Sequence, residues 1–135
     1  MDLNIIQHHE EFDFKTFYES VRSGYIGIDF KDFETFMQTD GVKHSFIGKS
    51  DGSNRIQDAC ANALFGNEEI VKEASSIMIT IVRSPDAPDQ LKMEEMQFMN
   101  DFISTLPYDC DVIWGIADDS SLENEVRIIM LVNIK

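Results

Sequence analysis

The sequence predicts an α+β domain of two layers, in which helices cover one face of a four-stranded mixed sheet. Three observations support this prediction. The 135 residues suit one domain with a single modest core. A hydrophobic fraction of 43% is enough for dense packing. Finally, segments with helical spacing of apolar residues are interspersed with β-rich runs through most of the chain.

The first elements are predicted to be two helices and a strand. Residues 1–11 show no clear pattern and are predicted to be a flexible arm. "FKTFYESV" then places apolar residues at helical spacing, and Gly24 follows as a stop. "FKDFETFMQT" repeats this pattern and ends before Gly41, and "VKHSFIG" alternates as a strand does.

The middle of the chain shows the cleanest helix, "SNRIQDACANALFG", with Ser53 as the predicted N-cap and Gly66 at its end. The Ile and Val density of "SSIMITIVRS" indicates a central strand that is apolar on both faces. After the break at "SPDAP", Asp89 is predicted to cap a long helix that runs to about Leu106.

The last two elements are predicted strands, "CDVIWGIAD" and "EVRIIMLVNI". The polar stretch "DDSSLEN" between them indicates a turn, so the two strands are expected to form an antiparallel hairpin. Together with the two earlier strands they make a four-stranded sheet.

Charge and motif content exclude several function classes. A formal net charge of −14 disfavours nucleic acid and anionic membranes as partners. Gly48-Lys49-Ser50 ends like a phosphate loop, but position 43 is Lys where that motif needs Gly. His8 and His9 are expected to be solvated and form no metal-binding pattern. The sequence therefore predicts no cofactor and no metal, in a cytoplasmic protein with reduced cysteines.

Three stretches carry a resemblance to a known family. "DCDVIWGIADDSSLENEVRIIMLVNI" resembles the closing hairpin of FtsZ, the bacterial tubulin relative, through residues that include Asp109, Trp114, Gly115 and Arg127. "GSNRIQDACANAL" resembles the family's Gly-x-x-Arg-Ala helix, and "GIDFKD" resembles its Asn-x-Asp-Phe-x-Asp loop. The order and spacing of the three motifs, rather than any one of them, make the resemblance specific.

The resemblance implies the C-terminal domain of the FtsZ/tubulin family, standing alone without the GTP-binding domain. Residues 12–135 would form that domain, and residues 12–23 would be a remnant of the interdomain helix. In the family, acids of this loop orient the attacking water at the GTP bound by the next subunit. Carried over, Asp29 and Asp32 are candidate in-trans acids, and Gly27, Asp29, Phe30 and Asp32 form the interface. Gly27 stands where the family usually has Asn, which removes one polar contact.

Local structure offers a second interpretation of the same acids. Asp29 suits the N-cap of the helix that begins at Phe30, and Asp32 lies near its positive end. Both interpretations can hold at once. The function expected is a non-enzymatic module that binds or caps filaments of FtsZ or an FtsZ-like protein, or modulates their GTPase in trans. The alternative is a scaffold, unrelated to cell division, that self-assembles as a homo-oligomer or binds a small ligand.

Overall fold

The computed structural model describes residues 5–135. Its elements in chain order are β1 (Ile5–Gln7), α1 (Phe14–Arg22), α2 (Phe30–Gln38), β2 (Val42–Ser50), α3 (Arg55–Leu64), α4 (Glu68–Lys72), β3 (Ser76–Arg83), α5 (Met93–Ser104), β4 (Asp111–Asp118) and β5 (Val126–Ile134). A single 3₁₀ turn at Ser120–Leu122 lies between β4 and β5 in this part of the chain. None of the helices within residues 5–135 is long and apolar enough to cross a membrane.

The strands form one mixed sheet in the order β1-β2-β5-β3-β4. β5 pairs antiparallel with both β2 and β3, whereas β1–β2 and β3–β4 are parallel pairs. The α+β class and the mixed sheet are thus confirmed, but the predicted number of four strands is wrong. The fifth strand, Ile5–Gln7, lies in the segment that was expected to be a flexible arm and pairs with Lys43–Ser45.

The predicted hairpin of the last two strands is also wrong, because β3 lies between β4 and β5. β5 is buried on both of its faces, with Met130 in the core on one side of the sheet and Leu131 in the core on the other. A strand of this kind needs neighbours on both sides. β4 exposes Asp111, Trp114 and Asp118, which suits the edge that it occupies.

Helices pack on both faces of the sheet rather than on the one face that the sequence predicts. One face meets α3, α4 and α5, through strand residues such as Phe46, Ile79 and Ile128. The opposite face carries Met78 and Leu131 and is covered by α1 and α2. The reason is the double-sided apolar character of β3 and β5, which would leave hydrophobic surface in water if one face stayed bare.

Two predicted helix caps are corrected by the structure. α3 follows Asn54 rather than Ser53, and the Asn54 side chain makes no capping hydrogen bond. α5 begins after Lys92, whose backbone N–H donates to the Glu95 carboxylate at 3.1 Å. Asp89 lies further upstream and donates its backbone N–H to Asn124. Capping of α5 from inside the helix was not anticipated.

The histidines near the start of the described chain are packed, contrary to the expectation that they are solvated. His8 Nε2 lies 2.9 Å from Nδ1 of His44, and the His8 ring stacks on Phe46 with centroids 4.5 Å apart. His9 Nε2 lies 2.8 Å from the carbonyl oxygen of Ala63 in α3. These contacts hold the residues after β1 against β2 and α3.

A buried ion pair joins α3 to α5. Arg55 is only 3% exposed, and its Nε lies 2.7 Å from Oε2 of Glu95. The same guanidinium donates a 3.0 Å hydrogen bond to the Asn124 carbonyl oxygen, in the connection that leads into β5. Arg55 therefore fixes α5, which buries only Met99 fully, to the rest of the domain.

Candidate functional site

The segment between α1 and α2, residues 23–29, begins with a reversal of the chain after the last turn of α1. Gly24 has a φ of +81°, a left-handed conformation that glycine adopts without steric strain. The backbone N–H groups of Tyr25 and Ile26 both donate to the carbonyl oxygen of Ser20, at 2.9 and 3.1 Å. The turn therefore directs the chain from α1 towards the sheet.

The segment then runs along the outer edge of β4. Ile26 forms an antiparallel bridge with Ala117, and the Gly27 N–H donates to the Ile116 carbonyl oxygen at 3.1 Å. The side chains of Ile26 and Ile28 are each only 6% exposed, whereas Gly27 between them is exposed. Burial of these two side chains and pairing with β4 fix the backbone that leads to Asp29.

Asp29 is the N-cap of α2, as the sequence predicts. Its carboxylate accepts a hydrogen bond from the Lys31 backbone N–H at 2.7 Å, and its carbonyl oxygen accepts one from Phe33 at 3.0 Å. Asp32 lies in the first turn of the same helix. Both side chains are exposed to solvent, so capping leaves the carboxylates accessible to another molecule.

Phe30, the other predicted interface residue, is half-buried. Its ring meets Tyr18 of α1 edge to face with centroids 5.6 Å apart, and it also contacts Phe33. Phe33 is completely buried and Phe36 is 3% exposed, so α2 is anchored by aromatic side chains on its inner face. The structure thus brings Gly27, Asp29 and Asp32 together at the surface and directs part of Phe30 inward.

The chemistry available at this surface is that of two exposed carboxylates on a fixed helix start. Carboxylates accept hydrogen bonds from water and from cationic groups. Within residues 5–135, no group of three or more His, Cys, Asp or Glu side chains is arranged to hold a metal ion. The site can therefore orient a donor that another molecule supplies.

Two depressions near this surface were not predicted. A groove of about 450 Å³ lies between α1 and the sheet, and its lining includes Asp13, Thr16, Arg127 and Ile129. Its walls come from segments far apart in sequence, so only Arg127, the one charged residue within the strand β5, could have signalled it. A smaller cleft of about 140 Å³ has Asp32 on its rim.

Comparisons with known proteins agree with this fold. No protein-family model matches the chain. It is 28% identical over 116 residues to cell division protein FtsZ 1 of Methanocaldococcus jannaschii, and 31% identical over 116 residues to FtsZ 1 of Thermococcus kodakarensis. These alignments cover 82% of this chain, but they span only 30% and 29% of the two relatives' own lengths.

Solved structures show the same fold. An empty FtsZ dimer from M. jannaschii matches 96% of this chain and 45% of that chain, with a TM-score of 0.66 and 21% identity. CetZ from Methanosaeta thermophila matches 78% of this chain and 31% of that chain, with a TM-score of 0.54 and 20% identity. Sequence and fold together therefore identify the chain as a relative of the C-terminal domain of the FtsZ/tubulin family.

Proposed function

We propose that the chain is a non-enzymatic, cytoplasmic interaction module that docks onto an FtsZ-type protein through the loop that carries Asp29 and Asp32. Docking would cap the partner's filament or alter its GTPase activity in trans. The observation that carries this proposal is the exposure of both carboxylates on a backbone anchored on either side by buried residues. A fixed acid pair suits the positioning of a water molecule or a cationic group on a partner.

Capping follows from the geometry of head-to-tail assembly. A heterologous contact uses two different faces of each subunit and can extend without limit. A module that presents only one of the two faces can occupy a filament end but offers nothing to the next subunit. The 135 residues contain no Gly-rich phosphate loop, so the proposal assigns GTP binding to the partner.

Charge sets the conditions under which docking should be observed. The net charge of −14 repels an acidic partner, and proteins of the FtsZ type are expected to be acidic. Salt screens such repulsion over roughly 10 Å at 0.1 M ionic strength. We therefore expect association to be faster at moderate salt than at low salt.

The test is co-sedimentation of an archaeal FtsZ with and without the module, at low and at moderate salt, together with measurement of GTP turnover. We expect the module to reduce the amount of pelleted polymer and Asp32→Ala to lose most of this effect. Asp58→Ala is the matched control, because Asp58 is also an exposed acid in the first turn of a helix.

Asp29→Asn separates the two interpretations of the loop. Asn caps a helix nearly as well as Asp, so a purely structural role predicts an unchanged effect on FtsZ. A role in GTP turnover predicts that the same variant loses any stimulation. If the unmodified module changed neither sedimentation nor turnover at either salt concentration, the proposed function would be wrong.

A second candidate is favoured by the groove of about 450 Å³ between α1 and the sheet. Its volume lies within the range of small-ligand sites, which suits the alternative of a ligand-binding scaffold. A symmetric oligomer that buries the Asp29 loop would favour the related self-assembly alternative. Analytical ultracentrifugation distinguishes this oligomer from a monomer that keeps the loop exposed.

A further inference from the structure

Two glycines face each other where the segment of residues 23–29 meets β4. A Cβ atom on Gly115 would lie 2.4 Å from the carbonyl oxygen of Gly27, and a Cβ on Gly27 would lie 2.9 Å from the carbonyl oxygen of Ile116. Real Cβ atoms essentially never approach other atoms to less than 3.0 Å. Neither glycine has a positive φ, so both are required for close approach rather than for backbone conformation.

This backbone contact lies two residues before Asp29, so that only Ile28 separates it from the cap of α2. The Ile28 side chain is buried, and its Cγ1 atom lies 2.9 Å from the position that a Cβ on Gly115 would take. On the far side, Asp29 is held by its cap on α2. Any displacement of Gly27 away from β4 must therefore move the start of α2.

We propose that the contact between Gly27 and Gly115 positions the carboxylates of Asp29 and Asp32 for docking. This inference rests on the proposed function and identifies Gly115, which touches no partner itself, as a positioning residue. It also reassigns Gly27. The sequence comparison with the family treats this glycine as the loss of an Asn side chain, whereas here it permits an approach to β4 that any side chain at position 27 would oppose.

The central variant is Gly115→Ala in the full chain, observed by NMR and native-state hydrogen exchange. We expect faster exchange of the Gly27 amide by about tenfold or more, as for a local opening, and shifted resonances of Asp29 and Lys31. Amides of the interior strand β3, such as that of Ile79, should keep their rates. Gly52→Ala is the matched control, because Gly52 is exposed and has nothing within 4 Å of its Cβ position.

The outcomes separate positioning from general destabilisation. If all amides exchanged faster together, or if the Gly27 amide kept its rate, the positioning role would be overturned. Should Gly115→Ala fail to fold, Gly27→Ala introduces the milder 2.9 Å conflict and is measured in the same way. Unchanged Gly27 exchange in that variant would equally overturn the inference.

The functional readout uses the FtsZ sedimentation assay with the same variants. We expect Gly115→Ala to lose most of the effect of the unmodified module, while Gly52→Ala keeps it. If Gly115→Ala shifted the loop but retained full effect on FtsZ, the inference would be wrong and the proposed function would stand. If the unmodified module had no effect while Gly115→Ala still shifted Asp29, the proposed function would fail and the structural part of the inference would remain.

Discussion

A short segment of chain forms each side of the sheet, the strand β1 beside β2 and residues 26–28 beside β4, and the chemistry of their contacts differs. At the β1 edge imidazole contacts add to the main-chain pairing of β1 with β2, since His8 pairs with His44 and His9 approaches the Ala63 carbonyl oxygen. At the β4 edge they are made by the main chain, through the Gly27 N–H and the close approach to Gly115. Imidazoles therefore contribute to the contacts of the first edge, whereas the contacts named at the second edge do not titrate.

Because of this difference, the two edges are expected to respond differently to a change of pH. An imidazole gains a charge near neutral pH, whereas a peptide hydrogen bond does not titrate. The β1 edge should therefore weaken in acid, and the β4 edge should hold the Asp29 loop over the same range. A loop fixed by contacts that do not titrate keeps its geometry while the histidines at the other edge gain charge.

The largest effect is expected from Phe46→Ala, which removes the ring under His8 and His44. Phe46 is completely buried, and loss of a buried Phe side chain costs about 3–5 kcal/mol. Urea unfolding measures this loss, and hydrogen exchange should show β1 opening more readily than the Gly27 contact. Phe65→Ala, at a side chain that is 83% exposed, is the control and should change stability little. A smaller loss at Phe46 than at Phe65 would contradict the packing described here.

Acidification should have an intermediate effect, confined to the β1 edge. Burial, reinforced by neighbouring His44 and His9, lowers the pKa of His8, and burial lowers the pKa of His44. The unfolded chain, with ordinary pKa values near 6.5, then binds more protons than the folded one. The stability that these residues contribute is complete above pH 6.5 and falls as the pH drops through 6.5 towards the lowered folded values.

Urea unfolding above and below pH 6.5 measures this dependence. The double variant His8→Gln, His44→Gln cannot titrate at these positions, so its stability should fall less with acidification. An equal fall in both proteins would mean that carboxylates account for the whole acid response. The Gly27 contact should be unaffected in either protein.

The smallest effect is expected at the cap of α2. Asp29→Ala removes the acceptor of the Lys31 N–H and should lower the free energy of unfolding by about 1 kcal/mol. Asp29→Asn keeps an acceptor and should be close to neutral. Chemical denaturation of the two variants side by side makes the comparison. If Asn cost as much as Ala, the charge of Asp29, and not its hydrogen bond, would be what stabilises the segment.

Much of the fold could be predicted because its signals are local. Phe14, Phe17 and Val21 recur at helical spacing and define α1, and Asp29 precedes a helix in a capping position. The strands that pair with β5 could not be predicted in this way. The sequence predicts β4 as its partner, whereas the structure pairs β5 antiparallel with β2 and β3. A signal was nevertheless present, because the five apolar residues Ile128–Val132 are typical of an interior strand and not of an edge hairpin.

The rest depends on contacts between distant residues, which no local pattern encodes. β1 has three residues, too few for a period, and its pairing with Lys43–Ser45 exists only in the folded sheet. The candidate acids were found from the sequence, but the Gly27–Gly115 contact that holds them was not. A glycine in a sequence does not reveal whether it serves a turn or a close approach.

The position of β5 has a consequence for how the protein is made. β5 comes after every other described strand in the chain, yet it lies in the middle of the sheet between β2 and β3. On the ribosome, β2 and β3 emerge first and have no partner in common until Val126–Ile134 has left the exit tunnel. Non-local pairing of this kind slows folding and leaves apolar strands uncovered in the nascent chain. The domain is therefore expected to fold only after the synthesis of its last strand.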